Sequence, residues 1–553
     1  MESTNPAPGS AVEAGADSPW KRVLRLLPLL LPLGIFLFAG QRGIDFGQHW
    51  DEVLRERDAL HAVQTEVLLP AEYKYPSMCF WLSMLALAPE AISGAELNLK
   101  ARRTYLQELA REVTSRDQRL RRRSLFLALS SLSLLWVYLL VLRWRGRPAE
   151  ACLAACLLAF SWEFGYHARW VAPDVIMAQF GSLCLLALFA LCDAKRPQAP
   201  LVLAAVAAGL ATGTKYTAGL LLLAVLAMAW RAAKPAGTRG ALVSCAKLLS
   251  IFALVFVVTT PGALLQPLVF LRDLRYEARH YSIGHYGFTV EAGWQHLSQI
   301  LRYLTSSGPS ASVWIAWPLS LVGLLGVFVT WRTARTEALL LTVVPALFIA
   351  YMSCQQVLFV RNLLFVMPCA AILSARGIAS LWDRANSGKL RGALVALTGA
   401  ALAANALWIL GAAESVAQGH DSPRFAQELQ TAIEAAAPET FYLSPMAQEA
   451  LAKIPGAAPE NTTTRAVPPS DFVVLIPEEL RLVGSWPSNL PGRVERIFGP
   501  REVNFDYYST WLEPHLVVLS WETARELESL EGRPGEVGLF GSGESGAFDP
   551  GKK

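Results

Sequence analysis

The chain has 553 residues, of which 53% are hydrophobic and only 17% charged, against the roughly 25% charge of a soluble domain. With a mean hydropathy of +0.34 and a net charge of +4, this excludes an ordinary soluble globule, gives no basis for a nucleic-acid partner, and fits a polytopic membrane protein. The eight cysteines fall almost entirely in apolar stretches, none after Cys369 and none in a Cys-x-x-Cys pair, so neither a disulfide framework nor a zinc site of that type is expected.

Residues 1–18 are small and polar and are expected to be disordered. Apolar blocks of about 20 residues predict about eleven membrane spans. They lie near 23–40, 124–142, 149–165, 172–192, 199–213, 217–230, 241–262, 311–331, 337–353, 361–381 and 391–412. The first block has no small-residue cleavage site after it and is read as a retained span. The fifth and sixth are short and run together at Gly213-Thr214-Lys215-Tyr216.

Loop charge gives an orientation. Lys21 and Arg22 precede the first span, and alternate short loops carry Arg143, Arg145 and Arg147, then Lys195 and Arg196, then Arg231, Lys234 and Arg239, then Arg332 and Arg335, then Arg384, Lys389 and Arg391. The short loops of opposite parity carry only Arg169, Lys215 and Arg361. The positive-inside rule therefore predicts a multi-pass protein of the plasma (inner) membrane with a cytoplasmic N-terminus. An odd span count then places the C-terminal segment outside, together with the long loops 41–123 and 263–310.

The outer segments hold the candidate chemistry. Asp51 and Glu52 follow the first span directly, where a carboxylate is placed to deprotonate an acceptor hydroxyl or help hold a divalent cation such as Mg or Mn. The run Ser77 to Ala88 is apolar but too short to span, and is expected to re-enter or lie on the surface with Lys74 and Tyr75 at its polar end. Residues 96–123 are rich in arginine, and Leu99, Leu106, Val113 and Leu120 recur every seven positions. That spacing predicts one amphipathic helix along the membrane, its arginines facing lipid phosphates or an anionic ligand. The next outer loop offers His167 and Arg169, then Pro173 and Asp174 as the opening of a helix. Lys215 and Arg361 come to the same level from two further loops, and ionisable groups at membrane depth point to function.

After residue 412 the pattern changes. Phe441-Tyr442-Leu443, Phe472 to Ile476 and Leu516 to Leu519 read as buried strands, and 425–437 and 521–530 read as helices. The expectation is an extracytoplasmic α/β domain over 413–540 and a disordered tail over 541–553. Asn504 to Tyr508 is an aromatic stretch suited to a sugar face or to core packing, and Asn461-Thr462-Thr463 is a formal glycosylation sequon.

Five segments carry a resemblance: His49-Trp50-Asp51-Glu52; Tyr73-Lys74-Tyr75-Pro76; Arg169 with Pro173-Asp174; Ala208 to Tyr216 ending in Thr-Lys-Tyr; and Val360-Arg361-Asn362-Leu363-Leu364 with Pro368. In order and in relation to the spans, this set resembles the GT-C superfamily of lipid-linked-sugar glycosyltransferases. The nearest branch is that of the bacterial protein O-mannosyltransferase-like and aminoarabinose-transferase-like enzymes. The resemblance covers about residues 23–381. Two features depart from it: Asn362 stands where the family's Arg-Tyr pair has tyrosine, and the Arg-rich segment of the first outer loop is longer.

The resemblance implies a GT-C-like helical membrane domain, a polyprenyl-phosphate sugar donor and transfer with inversion. It implies an acceptor hydroxyl on a glycolipid, glycan or protein. Asp51 and Glu52 are the implied catalytic carboxylates, and Lys74, Arg169, Lys215 and Arg361 the implied donor-phosphate ligands. Asp174, His167 and Tyr75 would orient the acceptor or, for Asp174 with Asp51 and Glu52, a divalent cation. The competing reading is a transporter or flippase for a lipid-linked or small anionic substrate. Transporters interrupt paired helices at mid-bilayer, whereas the charges here lie at the span mouths.

Overall fold

The computed structural model describes residues 19–45, 50–93, 99–192, 194, 197–284 and 288–419, Glu522, and four strand segments beyond residue 440. The predicted disordered ends, the helices at 425–437 and 521–530, the aromatic run 504–508 and the sequon all fall outside these residues, Glu522 apart.

A helix stands at each predicted span. In chain order the helices used below are α1 (Leu30–Gln41), α2 (Trp50–Thr65), α3 (Met78–Ser93), α4 (Leu99–Val113), α5 (Arg116–Arg145), α6 (Pro148–Ala159), α7 (Trp162–His167), α8 (Pro173–Cys192), α9 (Gln198–Thr212), α10 (Leu221–Ala233), α11 (Thr238–Thr259), α12 (Pro267–Ile283), α13 (Trp294–Ser306), α14 (Val313–Thr333), α15 (Arg335–Ser353), α16 (Met367–Arg384) and α17 (Gly388–Gly419). Among the described residues, seven helical stretches are long and apolar enough to cross a membrane by length and composition. This is a multi-pass membrane protein. Helices α6 and α9 are shorter, with 12 and 15 residues. At 1.5 Å per residue they fall short of a hydrocarbon core about 30 Å thick.

Two local expectations change and one is sharpened. The predicted span 149–165 divides, because Ser161 is extended and the chain turns off the helix axis into α7. There Trp162 donates its indole N–H to the Ser307 carbonyl at 3.1 Å. The segment 199–230 resolves into two helices separated by an extended Lys215 and a 3₁₀ turn, Tyr216–Leu220. The Arg-rich segment is not one surface helix: Ser115 is extended and caps α5, its hydroxyl accepting from the Gln118 N–H at 3.1 Å. Leu120 therefore belongs to a different helix from Leu109 and Val113, which pack on Ala59, Val63 and Leu87 of α2 and α3. The apolar face of α4 covers protein rather than lipid.

The bundle has two chemically distinct ends. At one end Arg147 pairs with Asp383 at 2.8 Å, Arg231 meets Thr336, and Cys152 lies 3.2 Å from the Pro28 carbonyl. At the other end Arg42, just past α1, makes a bidentate pair with Glu414 of α17 at 2.6 and 2.8 Å. The C-terminal ends of α1 and α17 thus lie at the same end of the bundle. The α3 run docks at this end too: the Met78 N–H donates to the Gly213 carbonyl at 2.9 Å and the Trp81 indole to the Thr259 carbonyl at 3.1 Å.

Beyond α17, β1 (Phe441–Leu443), β2 (Phe472–Leu475), β3 (Val494–Phe498) and β4 (Leu516–Ser520) form a sheet in the order β1-β2-β4-β3. β1 runs parallel to β2, and β4 is antiparallel to both β2 and β3. Three of these strands lie in the apolar runs read above. β3 was not read, because Arg496 and Glu495 break its apolar pattern.

Helices α14 and α16 cross at Gly326 and Gly377, where an added Cβ would run into the Leu373 and Val322 carbonyls respectively. Small residues at such crossings let membrane helices approach closely. Gly326→Val should therefore destabilise the protein by about 1–3 kcal/mol, as overpacking does. It should lower the thermal midpoint in detergent, and an unchanged midpoint would refute the close crossing.

Candidate active site

The site end of the bundle is built in two electrostatic layers. In the first, Glu52 and Glu56 are four apart on α2 and face the arginines at the start of α5. Arg123 donates to Glu52 from Nε at 2.9 Å and Nη2 at 2.6 Å, with the two side chains 0% and 2% exposed. It also donates to the Ile44 carbonyl at 2.6 Å and lies over Trp170 at 4.7 Å. Glu52 further accepts the Val171 N–H at 3.2 Å. Arg122 binds Glu56 at 2.9 Å and the Val113 carbonyl at 2.8 Å, and Arg121 binds Glu112 at 3.0 Å. The arginine run thus turns inward to carboxylates, and Glu52 ties α2, α5 and the loop before α8 together.

Asp51, one residue earlier, turns away from Glu52 into a second layer. Lys215 Nζ donates to Asp174 Oδ1 at 2.6 Å and to Asn362 Oδ1 at 2.5 Å. Arg361 lies between two carboxylates, Nη2 at 3.5 Å from Asp51 Oδ2 and Nε at 3.6 Å from Asp174 Oδ2. The Tyr281 hydroxyl points at Asn362 Oδ1 at 3.5 Å. Asp51, Asp174, Lys215, Arg361, Asn362 and Tyr281 are all buried. Tyr75 closes one side, its ring 6.0 Å from Lys215 Nζ and 5.6 Å from the Arg55 guanidinium. Arg55 is in turn paired with the buried Asp58 at 2.9 Å.

Local sequence explains these positions. Pro173 opens α8, which puts Asp174 in its first turn. Lys215 occupies the extended break between α9 and the 3₁₀ turn. Arg361 and Asn362 lie in a second 3₁₀ turn, Val360–Phe365, ahead of Pro368 in α16.

Of the residues singled out from the sequence, Asp51, Tyr75, Asp174, Lys215 and Arg361 come together. Lys74 stands at the rim, 3.0 Å from Glu72 and 4.9 Å above the Tyr276 ring. Three others are placed elsewhere. Glu52 is held by Arg123. Arg169 is fully buried in the Arg123 layer, donating to the Arg42 carbonyl at 3.2 Å. His167 lies within the bundle, 3.1 Å from Glu163 on the same helix. The proposed cation ligands do not converge either: Glu52 faces Arg123, and Asp174 faces Lys215 and Arg361. Among the described residues no group of three or more His, Cys, Asp or Glu is arranged to hold a metal ion.

Helix α12 supplies what the sequence reading missed. Asp273, Glu277 and Tyr281 are spaced four apart on one face. Asp273 accepts the Tyr73 N–H at 2.8 Å, and the Tyr281 carbonyl accepts the Gln356 N–H at 2.8 Å. Tyr73 lies directly on Gly262, where a side chain would collide with its ring, and bonds Gln266 at 2.8 Å through its hydroxyl. Glu277, between the two anchors, is half-buried. Burial raises its carboxyl to about 7; Lys215, Lys74 and Arg361 oppose that rise and Asp51 adds to it. Burial, with Lys74 and Arg361, lowers His280 on the same helix. The i, i+4 polar spacing inside 263–310 was the available signal.

Residues 104–262 match the family described as dolichyl-phosphate-mannose-protein mannosyltransferase, a stretch that contains Asp174 and Lys215. Apo ArnT from Cupriavidus metallidurans superposes with a TM-score of 0.50 at 12% identity, covering 91% of this chain and 98% of ArnT. The chain has the GT-C fold of ArnT. ArnT bound to undecaprenyl phosphate aligns at 13% identity over 91% of this chain and 98% of that one, with a TM-score of 0.45. The archaeal oligosaccharyltransferase AglB from Archaeoglobus fulgidus, in complex with an inhibitory peptide and a dolichol-phosphate, aligns at 13% identity over 86% and 72%, with a TM-score of 0.49. No curated protein matches the chain in sequence. The family match and the GT-C fold together point to glycosyltransferase activity.

The layered arrangement within this GT-C fold makes a prediction. Glu52→Gln strips Arg123 of its buried counter-charge, a change that costs about 3–5 kcal/mol, and should sharply lower the thermal midpoint. Adding Arg123→Met should recover part of the loss. A Glu52→Gln protein with wild-type stability would contradict the structural role of the pair.

Proposed function

We propose that this protein transfers a sugar from a polyprenyl-phosphate donor to an acceptor hydroxyl of a glycolipid, glycan or protein at the extracytoplasmic face of the plasma membrane. The observation that carries this reading is Arg361, set between Asp51 and Asp174 and beside Lys215 in one buried cluster at the mouth of a GT-C bundle. The lipid-phosphate donor is supported by the family description matched over 104–262. The side of the membrane is supported by the basic loops gathered at the opposite end, under the positive-inside rule.

In this reading Asp51 is the base. The acceptor oxygen attacks the anomeric carbon from the face opposite the phosphate and its proton passes to the Asp51 carboxylate. The new C–O bond forms as the anomeric carbon–phosphate oxygen bond breaks, so configuration inverts. The departing polyprenyl phosphate gains negative charge, which a preorganised cation offsets most effectively in a site shielded from water. Lys215 is committed at 2.6 and 2.5 Å to Asp174 and Asn362. Arg361 spans 3.5 and 3.6 Å to its carboxylates. Arg361 therefore receives the phosphate with Lys74 at the rim, while Lys215 and Asp174 fix its position. Glu52 and Arg169 support this set from the first layer.

Asp51→Asn keeps the shape and removes the base. General-base catalysis contributes about 10²–10⁴-fold, and a loss of that size is expected in a membrane assay that follows sugar release from a polyprenyl-phosphate donor. Full activity in a normally expressed Asp51→Asn protein would overturn the assignment.

A further inference from the structure

Glu277 is a third carboxyl at this site, and it enters from a helix whose position is fixed on both sides. One turn before it, Asp273 holds the main chain of Tyr73. One turn after it, Tyr281 reaches Asn362, the residue that also binds Lys215. On the adjacent position Tyr276 lies under Lys74. A residue between those anchors shares their helical face, which is turned toward the cluster, and its electrostatic neighbours agree. They are Lys215 from the break after α9, Lys74 from the loop after α2, Arg361 from the 3₁₀ turn before α16, and Asp51 from α2. Four tyrosines also lie within its electrostatic reach: Tyr75, Tyr216, Tyr281 on its own helix, and Tyr351 on α15. Among the described residues no hydrogen bond or ion pair ties down the Glu277 carboxylate.

A carboxylate beside Lys74, Lys215 and Arg361 occupies the electrostatic position that an anionic donor needs. We propose that Glu277 is a donor-site residue that yields this position by taking up a proton when the donor phosphate binds, so that donor binding is proton-coupled. The inference rests on the lipid-phosphate reading above and deepens it. The physical reason is that two negative groups over one set of cations repel. A bound phosphodiester therefore raises the proton affinity of Glu277 and, by linkage, a protonated Glu277 raises the affinity for the phosphodiester. The sign follows: binding is strongest below the free-protein value of about 7 and weakens as pH rises through it.

The test uses the full chain in lipid nanodiscs and the methyl ester of a short-chain polyprenyl phosphate, a diester with one fixed negative charge across the range. For a single coupled group with a free value near 7, the Kd should be about tenfold weaker at pH 8 than at pH 6. Glu277→Gln should match wild type at pH 6, which also reports correct folding, and should bind about tenfold tighter than wild type at pH 8. His280 is the other group near this range, and His280→Gln should retain the tenfold dependence. Binding that is independent of pH, or a dependence that persists in Glu277→Gln or vanishes in His280→Gln, overturns the proton coupling and leaves the donor reading standing. Absence of binding at every pH overturns both.

Discussion

An ammonium group taken out of water needs a counter-charge and acceptors for its protons, and Lys215 finds them on two distant parts of the chain. Asp174 comes from the first turn of α8 and Asn362 from the 3₁₀ turn before α16. Those contacts fix the mouths of three helices relative to one another. Arg361 is then delivered by its neighbour Asn362 to a position between Asp174 and Asp51. Tyr281 joins the same amide, which brings α12 over the cluster. Lys215 and Asn362 thus tie the cluster to the helix mouths, while α12 has its own anchors through Asp273 and the Tyr281 carbonyl.

The spans were legible in the sequence because a bilayer imposes length and apolarity on any helix that crosses it. A helix stands at every apolar block, and the helices that fall short do so at turns with an identifiable cause, such as Ser161 or the break at Lys215. What the sequence could not show was pairing. The arginines at 121–123 read as a surface for anions, because nothing in a local window reveals that Glu52 and Glu56 lie one turn apart on another helix and face them. Once they do, burial reverses the interpretation, and a run of positive charge becomes part of the frame.

The same limit applies to the cluster itself. Asp51, Asp174, Lys215 and Arg361 were each legible as ionisable residues at a span mouth. Glu52 was indistinguishable from Asp51 in sequence, because adjacent residues on a helix point about 100° apart and only the packing decides which one meets Arg123. Asn362 read as a departure, yet its amide oxygen is what holds Lys215. Glu277 was missed because 263–310 was treated as one loop, although the polar spacing of Asp273, Glu277 and Tyr281 marks a helix face.

Charge balance explains why the third carboxyl matters. Asp51 and Asp174 already offset Lys215 and Arg361, Glu72 is shared by Lys74 and Arg57 at the rim, Asp58 offsets Arg55, and an ionised Glu277 supplies the remaining negative charge. A cluster that is neutral before its ligand arrives has no surplus cation to meet a phosphate. The missing balance has to come from rearranged ion pairs or from a proton. Lys215 and the Arg123 layer are held by short hydrogen bonds within buried surroundings, so breaking them is costly. The Arg361 contacts are longer, and the Glu277 carboxyl is already raised to about 7, so shifting either one costs less. A phosphate placed between them meets a cation that can turn toward it and an acid that can be neutralised, with Lys215 and Asp174 left in place to hold the geometry.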